Sequence, residues 1–225
     1  NAGGIKVLKY GMTRNWVLGL KAVTGNGEAL VLDNNLKKDN SGYDLKQLLI
    51  GSEGTLAIIT EVTLALAPPE KPATTILLGL TQFDTLLQTF LRCQQLPLIA
   101  AEFFCGNSLQ QVLQQTQAQK PFSQNFKYYL LLDVEQQDST LEEIAKVLAG
   151  QAALVAQNLK QQKQFWGYRE HISSCLHGLK PYKNDVSCLL QHWPELLQKL
   201  TQWQQCYGAS LYLFGHIGDG NMHIN

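Results

Sequence analysis

Ser210-Leu-Tyr-Leu-Phe-Gly-His-Ile-Gly-Asp-Gly-Asn-Met-His-Ile-Asn225 carries the pattern on which the reading of this chain turns. Apolar residues that suit a strand run into Gly215, and His216 follows. The Gly218-Asp-Gly220 turn reverses or kinks the backbone, because glycine reaches positive φ at little cost. His223 and Asn225, two residues apart, then share one face of an extended segment. Two imidazoles brought round by such a turn can converge on one point, and neutral imidazole is the commonest protein ligand for zinc-like cations. Without context the same spacing also reads as a polar strand end.

Upstream, strand and helix patterns alternate. Residues 74–80, 98–104, 126–135 and 182–189 read as strands, and 83–95, 108–118, 158–179 and 194–206 as helices. Ser139 stands as an N-cap with Glu142 in capping-box position, opening a helix that ends near Gly150. These alternations predict an antiparallel sheet with helices on one face, in an α+β fold. Ala67-Pro-Pro-Glu-Lys-Pro72 marks a boundary, since three prolines in six residues can continue neither helix nor central strand. Before it lie a strand over 16–24, a Gly25-Asn-Gly27 turn, a strand over 29–32, a polar loop over 37–42, a short helix over 44–50 and a strand over 56–66. The expected division is therefore 1–68 and 73–225.

Eighteen basic residues balance eighteen acidic ones, so no charge argument exists for nucleic acid or anionic lipid. No apolar run is long enough to cross a membrane as a helix. The five cysteines form no C-x-x-C pair and are odd in number, which suits buried thiols in a reducing compartment. His171, His177 and His192 match no motif and read as surface or helix-end histidines.

Gly51-Ser-Glu-Gly-Thr-Leu-Ala-Ile-Ile-Thr60 is the most distinctive stretch before the boundary. Its glycines let successive amides point into a cleft, where they could cradle a phosphate or a heterocycle edge; a plain turn into a buried strand fits as well. With Asn1-Ala-Gly-Gly4, Tyr10-Gly11, Lys38-Asp-Asn-Ser-Gly-Tyr-Asp44 and the closing Gly215–His223 motif, it resembles the FAD-linked 2-hydroxy-acid dehydrogenases of the vanillyl-alcohol-oxidase type. Glycolate oxidase FAD subunits, D-lactate dehydrogenases and D-2-hydroxyglutarate dehydrogenases are the similar groups. The sequence departs from them at Ala57, where glycine is usual, and at Cys105, where aspartate is commoner.

The resemblance implies a truncated member: the C-terminal part of an FAD-binding domain, then an incomplete substrate, or cap, domain. It assigns FAD contacts to Gly3, Gly4, Glu53, Gly54 and Ile58, and substrate positioning to Arg169, Ser173, Lys183 and Asn225. His216 and His223 become ligands of a divalent metal, zinc in that group, with a third ligand and the catalytic base beyond residue 225. Taken alone, Arg169-Glu170 also reads as an exposed helix charge pair and Lys183 as a strand-edge lysine. The implied activity is FAD-dependent oxidation of a small D-2-hydroxy acid to the 2-oxo acid, with these 225 residues inactive by themselves. A non-redox FAD enzyme of the alkylglycerone-phosphate-synthase kind, a metal hydrolase and a non-catalytic assembly module are the other readings. The expected location is cytoplasmic, with membrane association only through an electron acceptor that the sequence does not specify. A homodimer is allowed.

Overall fold

A computed structural model of the chain describes residues 1–33, 36, 38 and 40–225. The polar loop expected over 37–42 includes Lys37 and Asp39, which lie outside the described residues. The chain divides into two compact units, Asn1–Gly4 with Tyr10–Glu70 and Ile5–Lys9 with Lys71–Asn225. A one-turn helix α1 (Val7–Tyr10) carries the chain out of the Ile5–Lys9 segment.

In the smaller unit, strands β1 (Val17–Thr24), β2 (Ala29–Leu32) and β3 (Ala57–Leu64) form an antiparallel sheet in the order β2-β1-β3. The Gly25-Asn-Gly27 turn closes the first hairpin, Thr24 N–H donating to Glu28 O and Gly27 N–H to Thr24 O. Helix α2 (Leu45–Leu49) supplies Leu49 to a small core with Val17, Leu20, Ala22, Ile50 and Ala57. Alternation along β3 turns Ala57 inward and leaves Ile58 63% exposed.

The larger unit is built on seven strands: β4 (Ala73–Leu80), β5 (Leu98–Cys105), β6 (Tyr128–Glu135), β7 (Ala152–Val155), β8 (Asn184–Ser187), β9 (Leu213–His216) and β10 (Asn221–Ile224). Their order is β7-β4-β6-β5-β9-β10-β8, and every pairing is antiparallel. The antiparallel α+β fold is thus the one the alternation implies.

Helices cover both faces of this sheet, and the expectation of a single covered face is corrected. Helices α3 (Phe83–Cys93), α5 (Thr140–Val147) and α8 (Trp193–Tyr207) pack on Ile76, Leu78, Leu130, Leu132, Phe103 and Met222. On the other face α4 (Gly106–Thr116), α6 (Leu159–Glu170) and α7 (Ile172–Leu176) pack on Leu77, Tyr129, Leu131, Phe104 and Phe214. The physical sign is in the strands: Thr74-Thr-Ile-Leu-Leu-Gly-Leu80 does not alternate but is buried throughout, which requires cover on two sides.

Smaller differences are local. The single helix expected over 158–179 is interrupted at His171 and ends in a 3-10 turn, His177–Leu179. Strand β7 joins the sheet edge beside β4 without a sequence forecast. Ser139 precedes α5 as expected but makes no cap bond; its hydroxyl bonds Glu143 instead. The five cysteines are free, with Cys93, Cys105 and Cys175 buried, Cys188 half-buried and Cys206 exposed, so the thiol-core reading fails at Cys206.

Candidate active site

The closing hairpin builds the site from its register. Gly215 pairs with Met222 and Phe214 with His223, so His216 and His223 emerge on the sheet face that α6 covers. Their ring centroids lie 5.4 Å apart, nearly perpendicular. On the other side of β9, Phe103 stands opposite Gly215, and that register carries Glu102 to His216. Glu102 is fully buried; its Oε1 lies 2.5 Å from His216 Nδ1 and its Oε2 2.8 Å from Arg169 Nη2.

Arg169 reaches this point from α6. Phe165, Tyr168, Arg169 and Ile172 occupy one helical stripe, which places the guanidinium among core side chains at 7% exposure. Its Cζ lies 4.7 Å from the centre of the Phe214 ring, a cation–π contact. The contact with Glu102 is an ion pair without hydrogen-bond alignment, and Arg169 Nε has no acceptor among the described residues. Arg169 is therefore no exposed partner of Glu170.

A cavity of about 500 Å³ collects Arg169, Ser173, Lys183, His216, His223 and Asn225, with Glu170 and Asp185 also on its wall. Lys183 and Ser173 are exposed at this wall. Asn225 is half-buried, its backbone tied to Tyr212 by reciprocal N–H to O bonds. Two larger clefts, about 950 and 640 Å³, have no comparable meeting of cations and imidazoles on their walls.

The surroundings push the two imidazoles in opposite directions. The bond to Glu102 raises the pKa of His216, while burial is the main cause lowering that of His223. Burial also lowers the pKa of Arg169, against the pull of Glu102. Among the described residues no three His, Cys, Asp or Glu side chains gather as a metal site; His216 and His223 stand as a pair. Asp185 approaches His223 Nδ1 only to 3.5 Å.

In the smaller unit the Gly51–Thr55 turn carries three left-handed residues, Gly51 (φ 89°), Glu53 (φ 52°) and Gly54 (φ 78°). Arg14 braces it, Nη2 donating to Ile50 O at 2.9 Å while Asn1 Oδ1 accepts from Arg14 N–H. Glu53, Gly54 and Ile58 are exposed, as are Gly3 and Gly4. Nothing lies within 4 Å of a Cβ built on Gly4, and one on Gly54 would meet Ile58 Cδ1 at 3.7 Å.

Residues 69–225 match the family model for FAD linked oxidases, C-terminal domain. The chain belongs to the FAD-linked oxidase family. It is 43% identical over 237 residues to D-2-hydroxyglutarate dehydrogenase of Xanthomonas citri pv. viticola, covering 100% of this chain and 50% of that protein. It is 38% identical to the enzyme of the same name from Stutzerimonas stutzeri, covering 100% of this chain and 51% of the relative. With the mitochondrial enzyme of Danio rerio it shares 34%, covering 100% of this chain and 44% of the relative. The chain thus spans about half the length of the curated relatives it matches. In fold it is similar to 4-ethylphenol oxidase from Gulosibacter chungangensis (TM-score 0.68, 12% identity, 96% of this chain, 51% of that one). An alkyldihydroxyacetonephosphate synthase is also similar (TM-score 0.62, 16% identity, 99% and 48%).

In this FAD-linked oxidase, six residues singled out from sequence line one cavity, and Gly3, Gly4, Glu53, Gly54 and Ile58 lie in the smaller unit. The residue missed was Glu102. Its signal was available: it is the sole charge in Leu98-Ile-Ala-Ala-Glu-Phe-Phe-Cys105, a run otherwise fit for a core strand.

Proposed function

We propose that the protein carries out FAD-dependent oxidation of a D-2-hydroxy acid, foremost D-2-hydroxyglutarate, to the 2-oxo acid. The carrying observation is the cavity in which a buried arginine with an unused donor, an exposed lysine and two imidazoles meet. Residues 1–68 are read as part of an FAD-binding domain and 73–225 as the substrate domain.

Arg169 takes one carboxylate through its guanidinium fork, against the Phe214 ring. Lys183 takes the other as a mobile point charge, and Ser173 and Asn225 donate hydrogen bonds. Held this way, the α-carbon is presented in one orientation, which lowers the entropic part of the barrier. Oxidation then requires the hydroxyl proton to reach a base and the α-hydrogen to leave as hydride. FAD, when bound, supplies the hydride acceptor. Gly3, Gly4, Glu53, Gly54 and Ile58 would hold it; the open space at Gly4 and the exposed Ile58 side chain fit an aromatic ring edge. His216 and His223 fit a divalent cation, zinc in the resemblance, in donor type but supply only two ligands, and a third would come from outside these residues. The cation would acidify the hydroxyl. The same reading puts the protein in the cytoplasm, where free thiols persist, feeding an unspecified electron acceptor.

The test is anaerobic. The flavin absorbance of the purified protein should bleach on adding D-2-hydroxyglutarate and stay oxidised with the L-enantiomer. A protein that cannot be loaded with FAD, or a loaded flavin that no D-2-hydroxy acid reduces, overturns the reading.

A further inference from the structure

Glu102 is the least accessible charge of the site and stands at its centre, yet it does not line the cavity. A carboxylate on a strand buried on both faces is costly unless its oxygens are matched by donors. Here one oxygen bonds an imidazole from β9, and the other is matched in charge, as an ion pair without hydrogen-bond alignment, by a guanidinium from α6. The two partners are also the two cavity groups that the hydroxy-acid reading directs to different parts of the substrate, one toward the hydroxyl and one toward a carboxylate.

We propose that Glu102 is a positioning residue that sets both at once. It holds His216 as the Nδ1–H tautomer, so that Nε2 is the acceptor nitrogen, and it fixes the Arg169 guanidinium over Phe214. A carboxylate can only accept, so the nitrogen 2.5 Å from it must carry the proton. A histidine oriented through one nitrogen by a carboxylate offers the other, more basic, to a cation or to a substrate hydroxyl. Because the same carboxylate anchors Arg169, the acceptor nitrogen and the guanidinium are held at a fixed separation. That separation then selects acids whose hydroxyl and carboxylate span it. The selection of acids rests on the hydroxy-acid reading of the cavity; the tautomer does not.

The test uses the protein with [15N]histidine labelling and Glu102→Gln. At alkaline pH the wild-type His216 signal, assigned by its loss in His216→Gln, should show a protonated Nδ1 and a bare Nε2. The opposite tautomer overturns the proposal, and this measurement needs no variant at Glu102. In Glu102→Gln the amide oxygen turns to the buried guanidinium and its NH2 donates to the imidazole, so His216 should flip to Nε2–H. Zn2+ affinity, read by competition titration, should fall by about 10–100-fold. KM for D-2-hydroxyglutarate should rise, and Glu102→Asp should recover part of both. A folded Glu102→Gln that keeps its tautomer and its zinc affinity overturns the proposal. A flavin that no hydroxy acid bleaches defeats the functional reading alone, since the nitrogen shifts still decide the role of Glu102.

Discussion

Gly215 lies where β9 passes between β5 and β10, paired with Phe103 on one side and Met222 on the other. A Cβ there would stand 2.4 Å from Asn221 O and 3.0 Å from Met222 Cα, both backbone atoms that cannot swing away. Gly215→Ala should therefore cost at the upper end of the ~1–3 kcal/mol typical of overpacking. With about 2–4 °C lost per kcal/mol in a chain of this size, calorimetry should show Tm falling by several degrees. A variant that melts with the wild type would show that the β9–β10 register is wrong. At the same scale, Arg169 was legible in part. Its type suggested an anion, while its burial lay in the spacing Phe165, Tyr168, Arg169, Ile172, which makes it a member of an apolar stripe. Its partner is 67 positions away on another element, and only strand register brings Glu102 beside His216. Local pattern carries no such information. Ala57 is the reverse case: its methyl fills the small core, while the exposed face of β3 is presented by Ile58.

Helix α6 delivers Arg169, and its start is the best capped of the larger unit's helices among the described residues. Asn158 Oδ1 accepts from Gln161 N–H at 3.0 Å, while Gln161 Oε1 accepts from Gln157 N–H at 2.7 Å. The pair satisfies two donors that would otherwise be orphaned at the helix end. Asn158→Ala should cost ~1 kcal/mol, as N-cap truncations do. Ser139→Ala, at the start of α5, should stay within ~0.5 kcal/mol, since its hydroxyl caps nothing. Paired thermal melts decide it; a Ser139→Ala variant losing more than Asn158→Ala would reverse the assignment. Ser-x-x-Glu at residues 139–142 looked the better box in sequence, and Ser139 fails because its backbone is already helical (φ −93°, ψ 0°). An N-cap side chain reaches back only from an extended backbone such as that of Asn158 (φ −160°, ψ 169°). Element types were legible from periodicity, and the antiparallel sheet with them. The second helical layer is written in the lack of alternation along β4, β5 and β6, which are buried on both faces.

Across the larger unit the charges of the cavity are unevenly committed. Arg169 is buried and tied to Glu102, whereas Lys183 is exposed on the cavity wall. An arginine held by packing keeps its geometry whatever the salt, while an exposed ammonium is screened over about 8–10 Å at ordinary ionic strength. A dicarboxylate such as D-2-hydroxyglutarate can engage both, and D-lactate, with one carboxylate, only one. Arg169→Ala should therefore lower kcat/KM for both substrates by about 30-fold or more, in line with loss of a buried charge-assisted contact of ~2–5 kcal/mol. Lys183→Ala should reduce the ratio of kcat/KM for D-2-hydroxyglutarate over D-lactate several-fold and leave D-lactate turnover near its starting value. In the wild type that ratio should decline as salt is raised, and in Lys183→Ala it should become nearly independent of salt. Steady-state kinetics at two ionic strengths on the three proteins separate these effects. If Lys183→Ala weakened both substrates alike, Lys183 would hold the carboxylate common to both and Arg169 the distal one, and the assignment of the two cations would have to be exchanged.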